Sequence, residues 1–400
     1  MAVRTKEAPQ AIEDSVVVVH GLSATSDGFY ATLEVINDDP ALCRGDILKF
    51  NAKGDTASTV ASAALPASLT ERGLPAFSSL KADGLPLAAI NGEEAPHVSL
   101  LGKGSSKLEA AFEGVDMGPA AHCVADKNFL VVVCDRLDPE GFPVQEVYTA
   151  KLSLKSPKLA LMDLPGLGLT LRRTISAITL WNDALYIAVV DAVAGFDLFT
   201  VDLKAKDPEA KLVFDQGAFR FSLNAAVPCM LATEDALLIG TAALASSELA
   251  LGTWGAELIA LDKDGQWSLI FGQNRFSPHG LKMSVTGAGA GIDNVDNSSL
   301  AAMARRDGEK GEEVFVLLQE YWGDPHSDRD TVMPVFSDYF GDVRLFKSTP
   351  GTGLVDWEEV EVELPEDHGA VSSMCCTKEG LVIAHEQDGD EGYPLTIVAV

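Results

Sequence analysis

Polar side chains recur at one position of a repeated sequence pattern, where they could together form a binding or catalytic site. Each repeat contains a tight polar turn, and the position lies twelve residues before the second residue of that turn. Its occupants are Val16, Arg72, Asp116, Arg172, Asn224, Asp296 and His368. Six of these seven residues are polar or charged, and convergent polar groups of this kind indicate a ligand site. The alternative is that they cap strand ends or face water in a central channel.

The acidic, amide and imidazole members of this set could bind a divalent cation such as Ca²⁺. The predicted metal ligands are Asp116, Asn224, Asp296 and His368. A bound ion would polarise a carbonyl group or activate water, and Arg72 and Arg172 would hold an anionic substrate. We predict His368 as the catalytic residue, because Glu366-Asp367 directly before it would orient the imidazole or raise its pKa.

The repeated turns also indicate how these residues are positioned. The turns are Asp27-Gly28, Asp83-Gly84, Lys127-Asn128, Asp183-Ala184, Asp235-Ala236, Asp307-Gly308 and Glu379-Gly380. They are separated by 44 to 72 residues, and apolar β runs such as Phe129–Val133 and Leu237–Gly240 follow them. A period near fifty, with strands and no helices, is typical of a β-propeller. We therefore predict an all-β fold, a seven-bladed β-propeller of four-stranded antiparallel blades, forming one domain over residues 1–400.

The chain ends shortly after the third strand of the last repeat. The predicted blades are approximately 15–65, 70–114, 115–168, 172–218, 222–272, 296–362 and 368–400. We predict that the N-terminal segment completes the last blade, since this closure removes an exposed sheet edge.

Two long insertions are expected to lie over the channel mouth near Asp296 and His368, beside blades five to seven. They run from Gln273 to Val295 and from Gln319 to Phe340. Long loops in a compact domain are usually functional or disordered, and the aromatic residues in these two favour order. Their candidate ligand-binding residues are His279, Tyr321, Trp322, His326 and Tyr339.

The charge of the chain excludes some classes of partner. Its 59 acidic and 30 basic residues give a net charge of −29, which disfavours nucleic acid and anionic membrane surfaces. High solubility, a salt-rich habitat or a basic partner would each account for this acidity. No apolar run is long enough to span a membrane, and no signal peptide is evident at the N-terminus.

The six cysteines do not form a recognisable metal site. They show no Cys-x-x-Cys spacing, and several fall in small-residue strands where a thiol packs as an apolar group. We therefore expect buried thiols in a reducing cytoplasm.

A short motif between Leu237 and Gly272 resembles a known kind of repeat. It consists of Gly240-Thr241, Gly255, Glu257-Leu258, Asp264-Gly265 and Trp267. The segment resembles repeats of bacterial seven-bladed propellers of uncharacterised function, and this resemblance implies a fold but no activity. The chain lacks the Trp-Asp endings of WD40 repeats and the paired glycines of kelch repeats.

Two functions are compatible with these features. The first is a soluble cytoplasmic propeller that binds a protein partner or a small ligand at the channel mouth over blades five to seven. The second is a metal-assisted hydrolase of the lactonase or esterase kind, or a lyase, with its site at the central channel. Fold alone does not choose between them.

Overall fold

The structure is a computed structural model of the 400-residue chain. It describes residues 15–37, 39, 42–54, 57–64, 79–82, 87–91, 96–101, 108–109, 120–137, 143–153, 158–170, 173–191, 193–243, 254–278, 280–308, 310–323, 338–366, 368–388 and 394–400. The chain divides into two compact units. The terminal unit comprises residues 1–163 and 365–400, and the central unit comprises residues 164–364. Among the described residues, no helix is long and apolar enough to cross a membrane.

The described secondary structure consists almost entirely of strands. The first twelve are β1 (Ser15–Thr25), β2 (Gly28–Asn37), β3 (Arg44–Asn51), β4 (Ala57–Ala64), β5 (Ser79–Ala82), β6 (Leu87–Asn91), β7 (Pro96–Leu101), β8 (Leu108–Glu109), β9 (Ala120–Ala125), β10 (Phe129–Leu137), β11 (Pro143–Lys151) and β12 (Ala160–Met162). The central unit contains β13 (Ile175–Trp181), β14 (Ala184–Val189), β15 (Asp197–Asp202), β16 (Ala210–Phe214), β17 (Ala226–Ala232), β18 (Ala236–Ala242), β19 (Leu258–Asp262), β20 (Trp267–Phe271), β21 (Arg275–Ser277), β22 (Gly280–Lys282), β23 (Ser299–Gly308), β24 (Gly311–Gly323), β25 (Asp338–Ser348) and β26 (Trp357–Val360). The last four are β27 (Val371–Thr377), β28 (Gly380–His385), β29 (Gln387–Asp388) and β30 (Leu395–Val398). Short helical turns lie at Pro165–Leu167, Gln216–Phe219 and Phe221–Asn224.

The terminal unit contains two five-stranded sheets and two three-stranded sheets among its described residues. Strands β1 to β4 form an antiparallel meander, with β29 beside β1. Strands β9 to β12 form a second meander, to which β5 adds in parallel beside β9. The three-stranded sheets are β27-β28-β30 and β6-β7-β8. Apolar side chains of β1, β2 and β3 pack with those of β27, β28 and β30, and the rings of Phe29 and Phe50 stack 4.8 Å apart.

The central unit contains three successive four-stranded antiparallel meanders, β13–β16, β17–β20 and β23–β26. Their first strands are neighbours, because β13 lies against β17 and β17 against β23. Such a succession of meanders is propeller-like. One apolar layer lies between the first and second meanders and another between the second and third. Gly240 allows close packing in the second layer, because a Cβ there would lie 2.7 Å from Leu300 Cδ2.

The polar turns of the repeat separate first and second strands as expected, wherever they are described. These turns lie between β1 and β2, β9 and β10, β13 and β14, β17 and β18, β23 and β24, and β27 and β28. The second strands that follow them are apolar and largely buried, as in β18 and β28. The turn at Asp83-Gly84 lies outside the described residues.

The prediction of seven four-stranded blades is wrong. Over the described residues, four sheets have four or more strands, with five, five, four and eight strands, beside smaller sheets of three, three and two. The fifth and sixth repeats merge into the eight-stranded sheet, because Ala242 of β18 pairs with Ser299 of β23. The second repeat divides, since β5 joins β9 while β6–β8 form their own sheet. A turn marks a hairpin, but it does not show to which sheet that hairpin belongs.

The valine run does not complete the last blade as predicted, and the segment before it, residues 1–14, lies outside the described residues. Strand β1 is not an outer strand of the last repeat, because it pairs with β2 along its whole length from Ser15↔Asn37 to Thr25↔Gly28. Its other strand partner is β29, through Val16↔Asp388 and Val17↔Gln387. The valine run therefore begins its own meander, and β27-β28-β30 stays three-stranded over the described residues.

Replacement of Gly28 by alanine tests the tight approach at the first polar turn. A Cβ on Gly28 would overlap the carbonyl oxygen of Phe50 in β3, and backbone atoms cannot yield as a flexible side chain would. We expect Gly28→Ala to lower the free energy of unfolding by about 1–3 kcal/mol, measured by urea denaturation followed by circular dichroism. The control is Gly308→Ala at the equivalent turn position, where the nearest atom would be 3.1 Å away. Equal effects of the two substitutions would contradict this account.

Candidate functional site

The structure describes part of the predicted polar set. Asn224, Asp296 and His368 are described, whereas Arg72, Asp116 and Arg172 lie outside the described residues. The same is true of the candidate ligand-binding residues His279 and His326. Asn224 and Asp296 belong to the central unit and His368 to the terminal unit.

Asn224 is fully buried just before β17, and both ends of its amide are hydrogen-bonded. Its Oδ1 accepts hydrogen bonds from Arg220 Nη1 (3.0 Å) and Thr241 Oγ1 (3.1 Å). Its Nδ2 donates to Gly217 O (3.0 Å) and to Glu257 Oε2 (2.7 Å). In this arrangement the Asn224 oxygen would have to exchange two donors before it could bind a cation.

Glu257 is the centre of the surrounding polar cluster. Its side chain has no exposed area, although it stands at the start of the apolar strand β19. Its Oε1 accepts from the Gln273 backbone N–H (2.7 Å) and Arg275 Nη1 (2.9 Å), while Oε2 accepts from Asn224. The Glu257 backbone N–H donates to Thr241 Oγ1 at 2.9 Å. We call Arg220, Asn224, Thr241, Glu257 and Arg275 the Glu257 network.

Two arginines share this one carboxylate. The side chains of Arg220 and Arg275 are only 4% and 9% exposed. Arg220 Nη1 donates to Gly255 O (2.8 Å), and its Nε lies 3.5 Å from Glu257 Oε1. Burial is the main cause that lowers the pKa of Arg220, Glu257 acts in the opposite direction, and the charge of Arg275 lowers it further. The buried network therefore carries one more positive than negative charge.

The network also holds a backbone turn in an unusual conformation. Gln216, Ala218, Phe219 and Phe221 all have positive φ, between 53° and 66°. Each such non-glycine residue costs on the order of 1–3 kcal/mol and persists only where its surroundings fix it. Here the Ala218 carbonyl accepts from Arg275 Nε at 2.8 Å, and the Gly217 carbonyl accepts from Asn224. Strained backbone of this kind clusters at functional sites.

Asp296 lies in the loop that leads into β23 and is half-buried. Its backbone N–H donates to Asn294 Oδ1 (3.1 Å), and its carbonyl accepts from the Ser298 N–H (2.7 Å). The next residue, Asn297, is buried, and its carbonyl accepts from the Ala256 N–H at 2.8 Å. This loop is thereby attached directly beside Glu257.

His368 lies near the start of β27, with one ring nitrogen fixed and the other without a hydrogen bond. Its Nδ1 is 2.8 Å from the Pro365 carbonyl oxygen. A carbonyl only accepts hydrogen bonds, so Nδ1 carries the proton. Its Nε2 is buried and has no hydrogen-bond partner. The described partner that orients this ring is therefore the Pro365 carbonyl. Of the predicted orienting pair Glu366-Asp367, Asp367 lies outside the described residues.

Other titratable groups lie near His368. The ring of His385 is 6.4 Å away in an edge-to-face arrangement. The Gly369 N–H donates to the Glu386 carbonyl at 2.9 Å, so Glu386 is also close. Burial raises the pKa of the Glu386 carboxyl, whereas a hydrogen bond at Ala370 and the charge of His20 lower it. His20 Nε2 in turn lies 2.8 Å from Glu34 Oε2.

Within the part of the chain that the structure describes, no group of three or more His, Cys, Asp or Glu side chains could hold a metal ion. The predicted set of Asp116, Asn224, Asp296 and His368 includes one residue outside the described part, and it stays a prediction. All six cysteines have free thiol groups, and five of these residues are buried. Burial raises the pKa of Cys123 and Cys375 strongly, which makes these thiols unreactive.

The aromatic residues of the second insertion stand at the ends of two paired strands. Tyr321 of β24 pairs with Phe340 of β25, and Trp322 pairs with Tyr339. In the described pairings, β23 reaches β24 only as far as Gln319, and β26 reaches β25 only as far as Leu345. The two strands therefore continue as a ribbon beyond their neighbours. We call residues 320–323 with 338–342 the aromatic ribbon.

Sequence reasoning missed the roles of Arg220, Glu257 and Arg275. One signal was available, because Glu257 interrupts the otherwise apolar run Gly255–Ala260. A carboxylate at such a position requires buried partners. Its partners come from loops distant in sequence, so their identity could not be read from the chain.

Neutralising Glu257 tests whether its charge holds the network together. We expect Glu257→Gln to lower the free energy of unfolding by roughly 3–5 kcal/mol, since it leaves two buried guanidinium groups without a counter-charge. Urea denaturation measures the change. The control is Glu359→Gln, which removes the exposed pair between Arg344 and Glu359 and should cost about 0–1 kcal/mol. A loss as small as that of the control would show that the network does not depend on this charge.

Comparisons with known proteins identify no family for the chain. No family model matches it, and no curated protein matches it. Among solved structures, it is similar to the β-propeller domain of the Trilobed protease from Pyrococcus furiosus, with 9% identity over 95% of this chain and 94% of that chain and a TM-score of 0.49. It is similar to uncomplexed Pyrococcus horikoshii acylaminoacyl peptidase (10% identity, 96% of this chain, TM-score 0.49), of which it spans about half, 53%. It is also similar to Saccharomyces cerevisiae Sqt1, with 9% identity over 99% and 89% of the two chains and a TM-score of 0.47. All three scores are below 0.5, so the functional conclusions rest on the chain's own residues.

Proposed function

We propose that the protein is a non-catalytic binding module of the cytoplasm, which recognises a protein partner or a small ligand through one edge of the central unit. In an antiparallel meander, the connection into the first strand and the connection from the second to the third strand emerge at the same end. In the central unit, this end carries the Glu257 network, the loop of Asp296 and the aromatic ribbon. We call it the loop edge.

The aromatic ribbon is the observation that carries the proposal. It places Tyr321, Trp322, Tyr339 and Phe340 on two strands that continue beyond the rest of their sheet. Tyrosine and tryptophan supply large contact area at low entropic cost and are enriched among residues that dominate binding energy. An extended ribbon that carries four aromatic residues is thus better suited to recognition than to closing a core.

The rest of the loop edge supports this role because it is rigid. Glu257 receives hydrogen bonds from two separate segments of chain, and the Asp296 loop is attached beside it. A pre-organised surface loses less conformational entropy on binding than a mobile one. The overall charge of −29 favours a partner that is basic or neutral and disfavours nucleic acid.

Truncation of the aromatic ribbon tests the binding role. We expect Trp322→Ala with Tyr339→Ala to abolish the capture of specific partners from extracts of the native host, measured by cross-linking and mass spectrometry. The aromatic anchors are expected to supply most of the binding energy, at 2 kcal/mol or more each, on the order of hot-spot residues in general. The control is Leu212→Ala, which removes exposed apolar surface from the outer strand β16. Capture of the same partners by the ribbon variant would refute the proposal.

A hydrolase is the second candidate, and His368 is the observation that favours it. Its Nε2 carries a lone pair, is buried and has no hydrogen-bond partner, which suits a general base. The partly buried Glu386 and the His20–Glu34 pair lie in the same unit and could relay a proton. A divalent cation such as Ca²⁺ is the predicted cofactor of this second candidate function.

The second candidate predicts hydrolysis of aryl esters or lactones that depends on His368. His368→Ala should reduce the rate by about 10²–10⁴-fold. Spectrophotometric assays with and without added Ca²⁺ would measure this effect. His122→Asn, which changes a histidine in the different strand β9, is the control. An activity unchanged in His368→Ala would exclude this role.

A further inference from the structure

The Glu257 network contains hydrogen-bond donors without acceptors. Among the described residues, four buried side-chain nitrogen or oxygen atoms have no hydrogen-bond partner, namely Arg220 Nε, Trp267 Nε1, Arg275 Nη2 and His368 Nε2. The first three belong to the central unit and are linked through Arg275. Its guanidinium carbon lies 5.6 Å from the centre of the Trp267 ring, and its Nη1 donates to Glu257. Buried donors are nearly always paired, so three orphans in one cluster need an explanation.

A second observation concerns the hairpin that supplies Arg275. Arg275 and Lys282 are directly opposite each other in the two-stranded sheet β21-β22. Like charges in this position are destabilising. Both cations also contact the same indole ring, since Lys282 Nζ lies 4.5 Å from the centre of Trp267. The backbone thus holds two cations together where each should repel the other.

The charges around the hairpin are not balanced by the residues that the structure describes. Glu257 faces Arg275 at 2.9 Å and Arg220 at 3.5 Å. Among the described residues, Asp262 is the acidic group whose charge acts on Lys282. It also accepts hydrogen bonds from the backbone of Asp264 and Gln266. Two buried guanidinium groups therefore depend on one carboxylate, and an uncompensated buried charge is strongly unfavourable.

We infer that Arg275 and Lys282, above the Trp267 ring and backed by Arg220, form a binding site for an oxyanion, namely the carboxylate or phosphate group of a small ligand. An oxyanion supplies both missing elements, because it is an acceptor for the orphan donors and a counter-charge for the cations. A water molecule would satisfy the donors but not the charge. Arginine suits the role because its planar guanidinium binds carboxylate and phosphate in bidentate fashion.

The hairpin offers a route for the ligand. Strands β21 and β22 pair with each other over three residue pairs, and they form a separate two-stranded sheet in the described topology. The hairpin exposes Phe276, whose side chain is 80% accessible to solvent. Lys282 is itself partly exposed, so a ligand would reach the site from the solvent side of this hairpin. The site does not involve the aromatic ribbon. The test of the oxyanion site is therefore independent of the test of the binding role proposed above.

The test is a titration of the full-length protein with inorganic phosphate and, separately, with acetate and citrate. Sodium chloride of matched ionic strength is the reference, and the readouts are tryptophan fluorescence and the midpoint of thermal unfolding. We expect a saturable change in tryptophan fluorescence with at least one oxyanion. The midpoint should also rise, because a ligand that binds only the folded state stabilises it by an amount that grows with the logarithm of its concentration. Lys282→Gln should weaken the apparent affinity at least tenfold, and Arg275→Gln should abolish binding.

The variants are chosen so that the result is decisive. Lys282 has no contact with Glu257 among its described hydrogen bonds, so Lys282→Gln tests the site even where Arg275→Gln fails to fold. Arg344→Gln removes a half-buried arginine paired with Glu359 at a distance from the site, and this variant should bind the oxyanion like the wild type. A midpoint that follows ionic strength alone for all three anions would overturn the inference. Equal responses of Lys282→Gln and Arg344→Gln would also overturn it.

Discussion

The loop edge of the central unit depends on the burial of one carboxylate. Glu257 has no exposed side-chain area, and a charge removed from water is stable only with close and well-oriented partners. Those partners come from two separate segments, one with Asn224 and the other with Gln273 and Arg275. Each segment is therefore held at a defined distance from Glu257 and from the other segment. The left-handed residues of the 216–221 turn persist because the same partners fix the carbonyl groups of Gly217 and Ala218.

This polar cluster can be rigid because the sheets beneath it pack closely. Gly240 leaves room for Leu300 and Cys229, and a side chain at Gly240 would overlap Leu300. Strands β17 and β23 consequently lie side by side, which brings the loops before them to the same edge. Small residues in the strands allow the meanders to pack closely, and this close packing brings the loops together. The Glu257 network and the Asp296 loop can therefore form hydrogen bonds between segments that the apolar core already holds close together.

Local features of this fold were predictable from sequence, and the non-local ones were not. The hairpins after Asp27, Asp183 and Asp235 occur where polar turns precede apolar runs, because such turns are encoded by a few adjacent residues. The number of strands in a sheet depends on single pairings such as Ala242 with Ser299, which no local pattern specifies. That pairing, together with the division of the second repeat between two sheets, made the blade count wrong.

The candidate site shows the same division between local and distant information. The repeat predicted a polar residue at Asn224, but a role in contact with solvent does not agree with its full burial. What surrounds Asn224 is decided by Glu257, 33 residues away. Likewise, the Ala218 carbonyl and its donor Arg275 are 57 residues apart. For His368, the sequence suggested a neighbouring carboxylate as the orienting group, whereas the structure provides the carbonyl of Pro365.

Two electrostatic effects of opposite sign act on an anion that approaches this protein. The net negative charge repels it over long distances, and the buried arginines attract it at short distances. The net charge of −29 repels an approaching anion, but salt screens exposed charges beyond about 8 Å at physiological ionic strength. Arg220 and Arg275 are nearly buried, so their interactions with a group in direct contact are screened far less. Long-range repulsion would therefore slow the arrival of an oxyanion, while the local donors would set how long it stays. The same surface charge would favour a basic partner at the aromatic ribbon, so one acidic exterior is compatible with two ligands of opposite charge.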